Sequence, residues 1–188
     1  RPGAGLRVGV AMDRAFGFYY PDDLAAFASL GATLVPFDAL HDARLPPVDA
    51  LFIGGGFPET QAEQLARNAS LRHDIRQAVV AGLPTYAECG GLMYLCRRLR
   101  WRGADHEMVG VIPADAVMHE RPVGRGYVEL QGRADHPWST WKDIATVQAH
   151  EFHHSALDGL PADTRFAWRV VRGHGIDGTN DGLLLHNL

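Results

Sequence analysis

The stretch Pro84-Thr85-Tyr86-Ala87-Glu88-Cys89-Gly90-Gly91-Leu92-Met93-Tyr94-Leu95 puts an apolar run, a cysteine and two glycines in an order suited to a nucleophile. It reads as a strand, a tight turn holding Cys89, and a helix. A cysteine in that turn faces unpaired N–H groups and the positive end of the helix dipole, which favour the thiolate. Gly90 and Gly91 leave the following amides uncovered, so an N–H is available to an oxyanion formed when sulfur attacks a carbonyl carbon. A second glycine-rich segment, Gly54-Gly55-Gly56-Phe57-Pro58-Glu59, follows the apolar run Leu51-Phe52-Ile53 and opens the next helix. Backbone approaches a substrate closely at such a loop. An isolated cysteine is more often a small buried hydrophobe, and here the strand, glycines and helix around Cys89 outweigh that reading.

Cys96 is the internal control. It is expected further along the same helix, as core filler. A continuous helix separates the two Cα atoms by roughly 10 Å, beyond the ~7 Å limit for a disulfide. Two unbridged cysteines, a polar start at Arg1-Pro2-Gly3-Ala4-Gly5 and no apolar run of ~18 residues predict a cytoplasmic chain without a membrane partner. The net charge of −4 gives no surplus for nucleic acid. The densest basic run, Arg97-Arg98-Leu99-Arg100-Trp101-Arg102, is expected to be a solvated helix end.

These residues need a scaffold, and 188 residues of which 46% are hydrophobic suffice for one core. Residues 1–6 read as a linker and 7–188 as one domain. Strands are predicted at Leu6–Ala11, Thr33–Phe37, Ala50–Ile53 and Thr85–Tyr86. Helices are predicted from Pro21 to Leu30, with Gly31 as the stop, from about Glu59 to Arg67, and from Ser70 to Ala81 before Gly82. Such alternation indicates an α/β fold with a parallel sheet covered on both faces and ligand sites at the carboxyl ends of its strands. Beyond Arg102 the pattern changes. Runs at 108–112, 126–130, 166–171 and 182–186 read as strands with few helices between them, a partly antiparallel extension.

Three motifs in order, Tyr86 to Leu95, Gly54 to Glu59 and His150-Glu151-Phe152-His153-His154-Ser155, resemble the glutaminase domain of cobyrinic or hydrogenobyrinic acid a,c-diamide synthases. These form part of the cobyrinic and cobyric acid synthase (CobB/CobQ-type) branch of class I glutamine amidotransferases, whose domain is flavodoxin-like. The resemblance implies that Cys89 attacks glutamine, that amides around Gly55, Gly56 and Gly90 hold the oxyanion, and that His186 shuttles protons. It also implies glutamine contacts from Met93, His150, Glu151, His153 and His154. No cofactor is expected in this domain. An N-terminal synthetase domain, absent from this chain, would use ATP and magnesium to amidate the a and c acetates of a corrinoid, or a siroheme-type macrocycle. No Gly-x-x-x-x-Gly-Lys-Ser/Thr occurs here. The chain departs from the family at Leu184 and Leu188, where a tyrosine and a second histidine are usual, and it lacks the glutamate that orients the histidine in other class I enzymes.

Two other readings compete. His150-Glu151-Phe152-His153-His154 spells His-Glu-x-x-His, in which helical i, i+4 histidines bind zinc. Ala145, Ala149, Phe152 and Ala156 fall at helical spacing, but no third ligand follows before His174. The cysteine elbow also occurs in DJ-1/PfpI-like hydrolases. The loop Asp13 to Tyr20 reads equally as packing or as a face toward a partner domain.

Overall fold

Alternation along the first strands decides which layer each side chain meets. In β1 (Arg7–Ala11), Val8 and Val10 point to one face with Phe52, whereas Ala11 joins Leu51 and Ile53 on the other. β2 (Phe16–Phe18) leads into α1 (Pro21–Leu30), whose Leu24 and Phe27 cover the first face. Proline opens this helix as expected, and Gly31, at φ 92°, ends it by donating to Ala28 O. β3 (Thr33–Phe37), β4 (Ala50–Ile53) and β6 (Thr85–Ala87) complete a parallel sheet of order β3-β1-β4-β6. Between β4 and β6 lie β5 (Gly55–Gly56), a 3₁₀ turn over Pro58–Gln61, α2 (Ala62–Arg67) and α3 (Ala69–Val80). Leu71, Ile75 and Val79 recur every four residues on α3 and are fully buried against the second face. This computed structural model describes residues 3–134, 136–138 and 146–188.

The chain then departs from the expected helix. α4 (Gly90–Leu95) stops after six residues, and Cys96 begins β7 (Cys96–Trp101). The returning segment accounts for this: Val109 N donates to Tyr94 O, Gly110 N to Cys96 O and Val111 N to Leu95 O, each within 2.9 Å. Tertiary partners thus take the carbonyls that another helical turn would have used. Cys96 is core filler as expected, with burial pushing its thiol up to about 12, but from a strand. The arginine run is likewise strand rather than helix end. Its Arg97 and Arg100 pair with the buried Asp115 at 3.2 and 2.7 Å.

β8 (Ala104–Glu107) and β9 (Ile112–Met118) flank β7, so the strand expected at 108–112 begins only at Ile112. β10 (Gly124–Gly132), β11 (Val147–His153), β12 (Ser155–Asp158), β13 (Arg165–Arg172) and β14 (Asn180–Leu184) follow. They build two further sheets, β12-β9-β7-β8 and β11-β10-β13-β14, which are antiparallel except for the parallel β7–β9 pair. The α/β fold with a parallel core and a largely antiparallel extension is therefore the one expected. The His-Glu-x-x-His run differs from its helical reading: His150 to His153 lie on β11, paired with β10 through Gly126↔Glu151 and Gly124↔His153, and His154 follows its end. Residues four apart in a strand are roughly 13 Å apart, too far to share one zinc ion. Ala145, part of that periodicity, lies outside the described residues.

Residues 3–6, read as linker, turn back on the domain, with Gly3 N donating to Leu30 O at 3.0 Å. No helix among the described residues is long and apolar enough to cross a membrane.

Candidate functional site

β6 ends at Ala87 and the chain turns through Glu88 and Cys89 into α4. Cys89 has φ 49° and ψ −108°, a region that L-residues avoid. Such strain costs on the order of 1–3 kcal/mol and persists only where the surroundings impose it. Those surroundings are visible: Glu88 N donates to Ile53 O at 3.1 Å, and Gly91 N to Glu88 O at 2.8 Å and Gly54 O at 3.1 Å. The elbow is thus stitched to the end of β4. Glycine is obligatory at two points. A Cβ on Gly91 would lie 2.1 Å from Ile53 O, and one on Gly56 would lie 1.9 Å from Ala15 O.

The glycine-rich loop is held from below. β5 pairs with β2, and Phe57 N donates to Ala15 O at 2.9 Å. The Tyr19 hydroxyl donates to Ala11 O at 2.6 Å and accepts from Gly54 N at 3.1 Å, while its ring meets Phe52 edge-on. Asp13 accepts from Ala15 N, Phe16 N and Ala39 N, fixing the turn before β2. In the Asp13–Tyr20 loop the packing role is seen for Phe16 and Tyr19, which pack inward, while Phe18 and Tyr20 are exposed.

Gly55, Gly56 and Gly90 do come together at Cys89. A Cβ on Gly90 would be 3.0 Å from Gly56 N, and one on Gly55 would be 3.8 Å from the Cys89 Cβ. The electrostatics differ from the helix-terminus expectation. Cys89 is an accessible residue, yet desolvation pushes its thiol above the usual range; the Gly90 amide opposes this, the Glu88 and Glu59 carboxylates add to it, and the Gly56 amide opposes it. A six-residue helix has little dipole to set against two nearby carboxylates. Burial in turn raises Glu88, which accepts from the Tyr86 hydroxyl at 3.2 Å, and Glu59, which the nearby His154 partly relieves. Amides facing the sulfur are the kind of donors that can receive an oxyanion, while burial first and the two carboxylates second disfavour the thiolate.

The remaining predicted site residues divide. Met93 is buried in the core behind the elbow. Glu151 is occupied structurally, because its carboxylate accepts from His174 N and Gly175 N at 2.8 Å each. His153 stands 3.5 Å from that carboxylate, with Nδ1 against Ser155 O. His154 rests on His119 O at 3.2 Å and neighbours Glu59, which brings it toward the site. His150 is exposed and packs edge-on against Tyr127.

His186 lies beyond the end of β14 in an exposed turn, at φ 53°, closed by hydrogen bonds between Leu185 and Leu188. Its neighbour Asn187 is fastened to Gly82 O and Thr85 N, at the start of the strand whose far end leads to Cys89. Sequence reasoning missed the hydroxyl of Tyr19 and the carboxylates of Glu59 and Glu88. The first lies in the Asp13–Tyr20 loop that the sequence singles out; the others needed coordinates. Among the described residues no group of three or more His, Cys, Asp or Glu side chains is arranged to hold a metal ion.

Residues 7–188 match the CobB/CobQ-like glutamine amidotransferase domain. A cobyrinate a,c-diamide synthase of Magnetococcus marinus is 46% identical over 186 residues, covering 99% of this chain and 39% of the relative. One from Archaeoglobus fulgidus is 44% identical over 182 residues, covering 97% and 39%. The chain thus spans about two fifths of the length of these curated relatives. Among solved structures, PurLQS from Thermotoga maritima superposes with a TM-score of 0.70 at 15% identity, over 97% of this chain and 82% of the other. A Thermotoga maritima glutamine amidotransferase gives 0.65 at 13%, over 97% and 72%. At these identities the structures speak for the fold.

Proposed function

This chain belongs to the CobB/CobQ-like glutamine amidotransferase family, and we propose that it hydrolyses glutamine at Cys89 to release ammonia. The carrying observation is the elbow itself: a strained cysteine with the amides of Gly56 and Gly90 facing its sulfur. The thiolate attacks the side-chain amide carbon, and a C–S bond forms while the carbonyl oxygen takes the negative charge against those amides. The C–N bond then breaks as the nitrogen is protonated, and ammonia leaves. Water adds to the thioester, releasing glutamate and restoring the thiol. His186 is assigned the proton shuttle between the sulfur and the leaving nitrogen. The exposed side of β11, with His150 and the neighbouring His154, is assigned to the α-amino and carboxylate groups of glutamine.

The relatives named cobyrinate a,c-diamide synthase support a role in which the ammonia amidates the a and c acetates of cobyrinic or hydrogenobyrinic acid. Activation of those carboxylates as acyl phosphates, with ATP and magnesium, is assigned to a synthetase portion outside residues 7–188. The test is the intact mass of the protein after exposure to 6-diazo-5-oxonorleucine, an electrophilic glutamine analogue. One adduct is expected, retained in Cys96→Ala and lost in Cys89→Ala. An adduct that persists without Cys89, or none on the wild type in the presence of the synthetase portion, overturns the assignment.

A further inference from the structure

Away from Cys89, the surface between α3 and β7 carries an arrangement the glutaminase reaction does not use. A cleft of about 410 Å³ opens there, lined by Arg72, His73, Arg76, Arg97 and Arg98, with Glu107 its one acidic residue. The chain as a whole is negative, with 18 Lys and Arg against 22 Asp and Glu. Four arginines in one concavity therefore run against its overall charge. Two local features create the concentration. Arg72 and Arg76 are one helical turn apart on the same face of α3, beside His73. Across the cleft, the register of β7 against β9 shifts between Cys96 and Arg98, and both Arg97 and Arg98 are exposed where strict alternation would have turned one inward.

The cleft is organised before any ligand arrives. Arg72 donates to Met108 O and Ala66 O at 2.8 Å each and reaches Glu107 at 3.3 Å; its Nε is shut off from solvent with no hydrogen-bond partner among the described residues. Arg76 donates to Gly110 O and pairs with no carboxylate among the described residues. Arg97 and Arg98 meet Asp115 and Asp105 through part of their guanidinium groups, leaving both side chains nearly half exposed. The volume falls in the range of small-molecule sites, and convergent guanidinium forks suit paired anionic oxygens. We propose that this cleft binds a small polyanion whose phosphate or carboxylate groups bridge Arg76 on α3 and Arg98 on β7.

The proposal is independent of the amidotransferase reading, since none of its residues belongs to the Cys89 elbow or the glycine loop. The test is calorimetric titration of the chain at low ionic strength with pyrophosphate and, separately, with propane-1,2,3-tricarboxylate. Saturable one-site binding of either is expected, and which of the two binds tighter identifies the anionic group. Arg76→Ala and Arg98→Ala should each weaken it about tenfold, as loss of a charge-assisted contact would, while labelling of Cys89 stays unchanged. Arg76→Gln, which keeps the helix face and removes only the charge, should weaken binding comparably and controls for misfolding. Absence of saturable binding by both anions, or affinities untouched by all three variants, would overturn the proposal.

Discussion

The two halves of the molecule are built by different forces. Up to Leu95, the parallel sheet is covered on both faces, and α3 sinks Leu71, Ile75 and Val79 completely into the core. After Cys96, strands dominate: Leu99, Ile112, Ala114 and Ala116 of β7 and β9 still join the main core, but the outer β11 alternates between half-buried and exposed residues, none fully buried. The carboxylate of Asp115 there is almost enclosed yet answered by three arginines. Apolar burial therefore shapes the first half, and in the second it is joined by backbone ladders and ion pairs. Cys89 belongs to the first, which lets a strained backbone be held by a rigid surround.

That contrast can be broken. Ile75→Ala should cost about 2–5 kcal/mol, read as a lowered midpoint in urea unfolding, because it opens a cavity in the apolar half. Asp115→Ala should cost less, about 1–3 kcal/mol, since its arginine partners are 36–47% exposed and turn to water or to Asp105 and Asp158. If the aspartate costs more than the isoleucine, the halves are not held as described. Gly91→Ala should cost about 1–3 kcal/mol by overpacking and also abolish labelling of Cys89, because its Cβ drives the elbow off Ile53. A variant that labels normally would show that the elbow is less tightly held than its contacts indicate.

Smaller effects sharpen the picture at the site. The Glu88 carboxylate raises the Cys89 thiol pKa, so Glu88→Gln should lower it and move the pH profile of alkylation toward acid. At pH 8 the rate should rise a few-fold, as expected when a neighbouring charge is removed. An unmoved profile would leave desolvation and Glu59 as the causes. Glu63→Ala removes an exposed i, i+4 partner of Arg67 and should change stability by only about 0.2–0.5 kcal/mol.

The sequence revealed those elements whose limits are written locally. Pro21 and Gly31 bracket α1, Gly82 closes α3, and short apolar runs mark β1, β3 and β4. It misled where partners distant in the chain decide the outcome. Leu92, Leu95 and Leu99 allow a longer helix, and only the return of Val109 to Val111 onto the carbonyls of Tyr94 to Cys96 ends it. His150 to His154 fits helix and strand equally until β10 pairs with it. At the site, the elbow and both glycine motifs were legible because glycine is required by backbone contact. The tuning of Cys89 was not, since Glu59 and Glu88 act through space, and the position of His186 depends on where Asn187 docks.

Asn187 carries one more consequence. Its side chain bonds Gly82 across 105 positions of sequence, and its carbonyl takes the amide of Thr85, the first residue of the strand that leads to Cys89. Closing so long a loop is slow compared with the local pairings of β1, β3 and β4. During refolding, protection of the Thr85 amide against hydrogen exchange should therefore lag behind that of the sheet interior, leaving the start of β6 among the last pieces to settle.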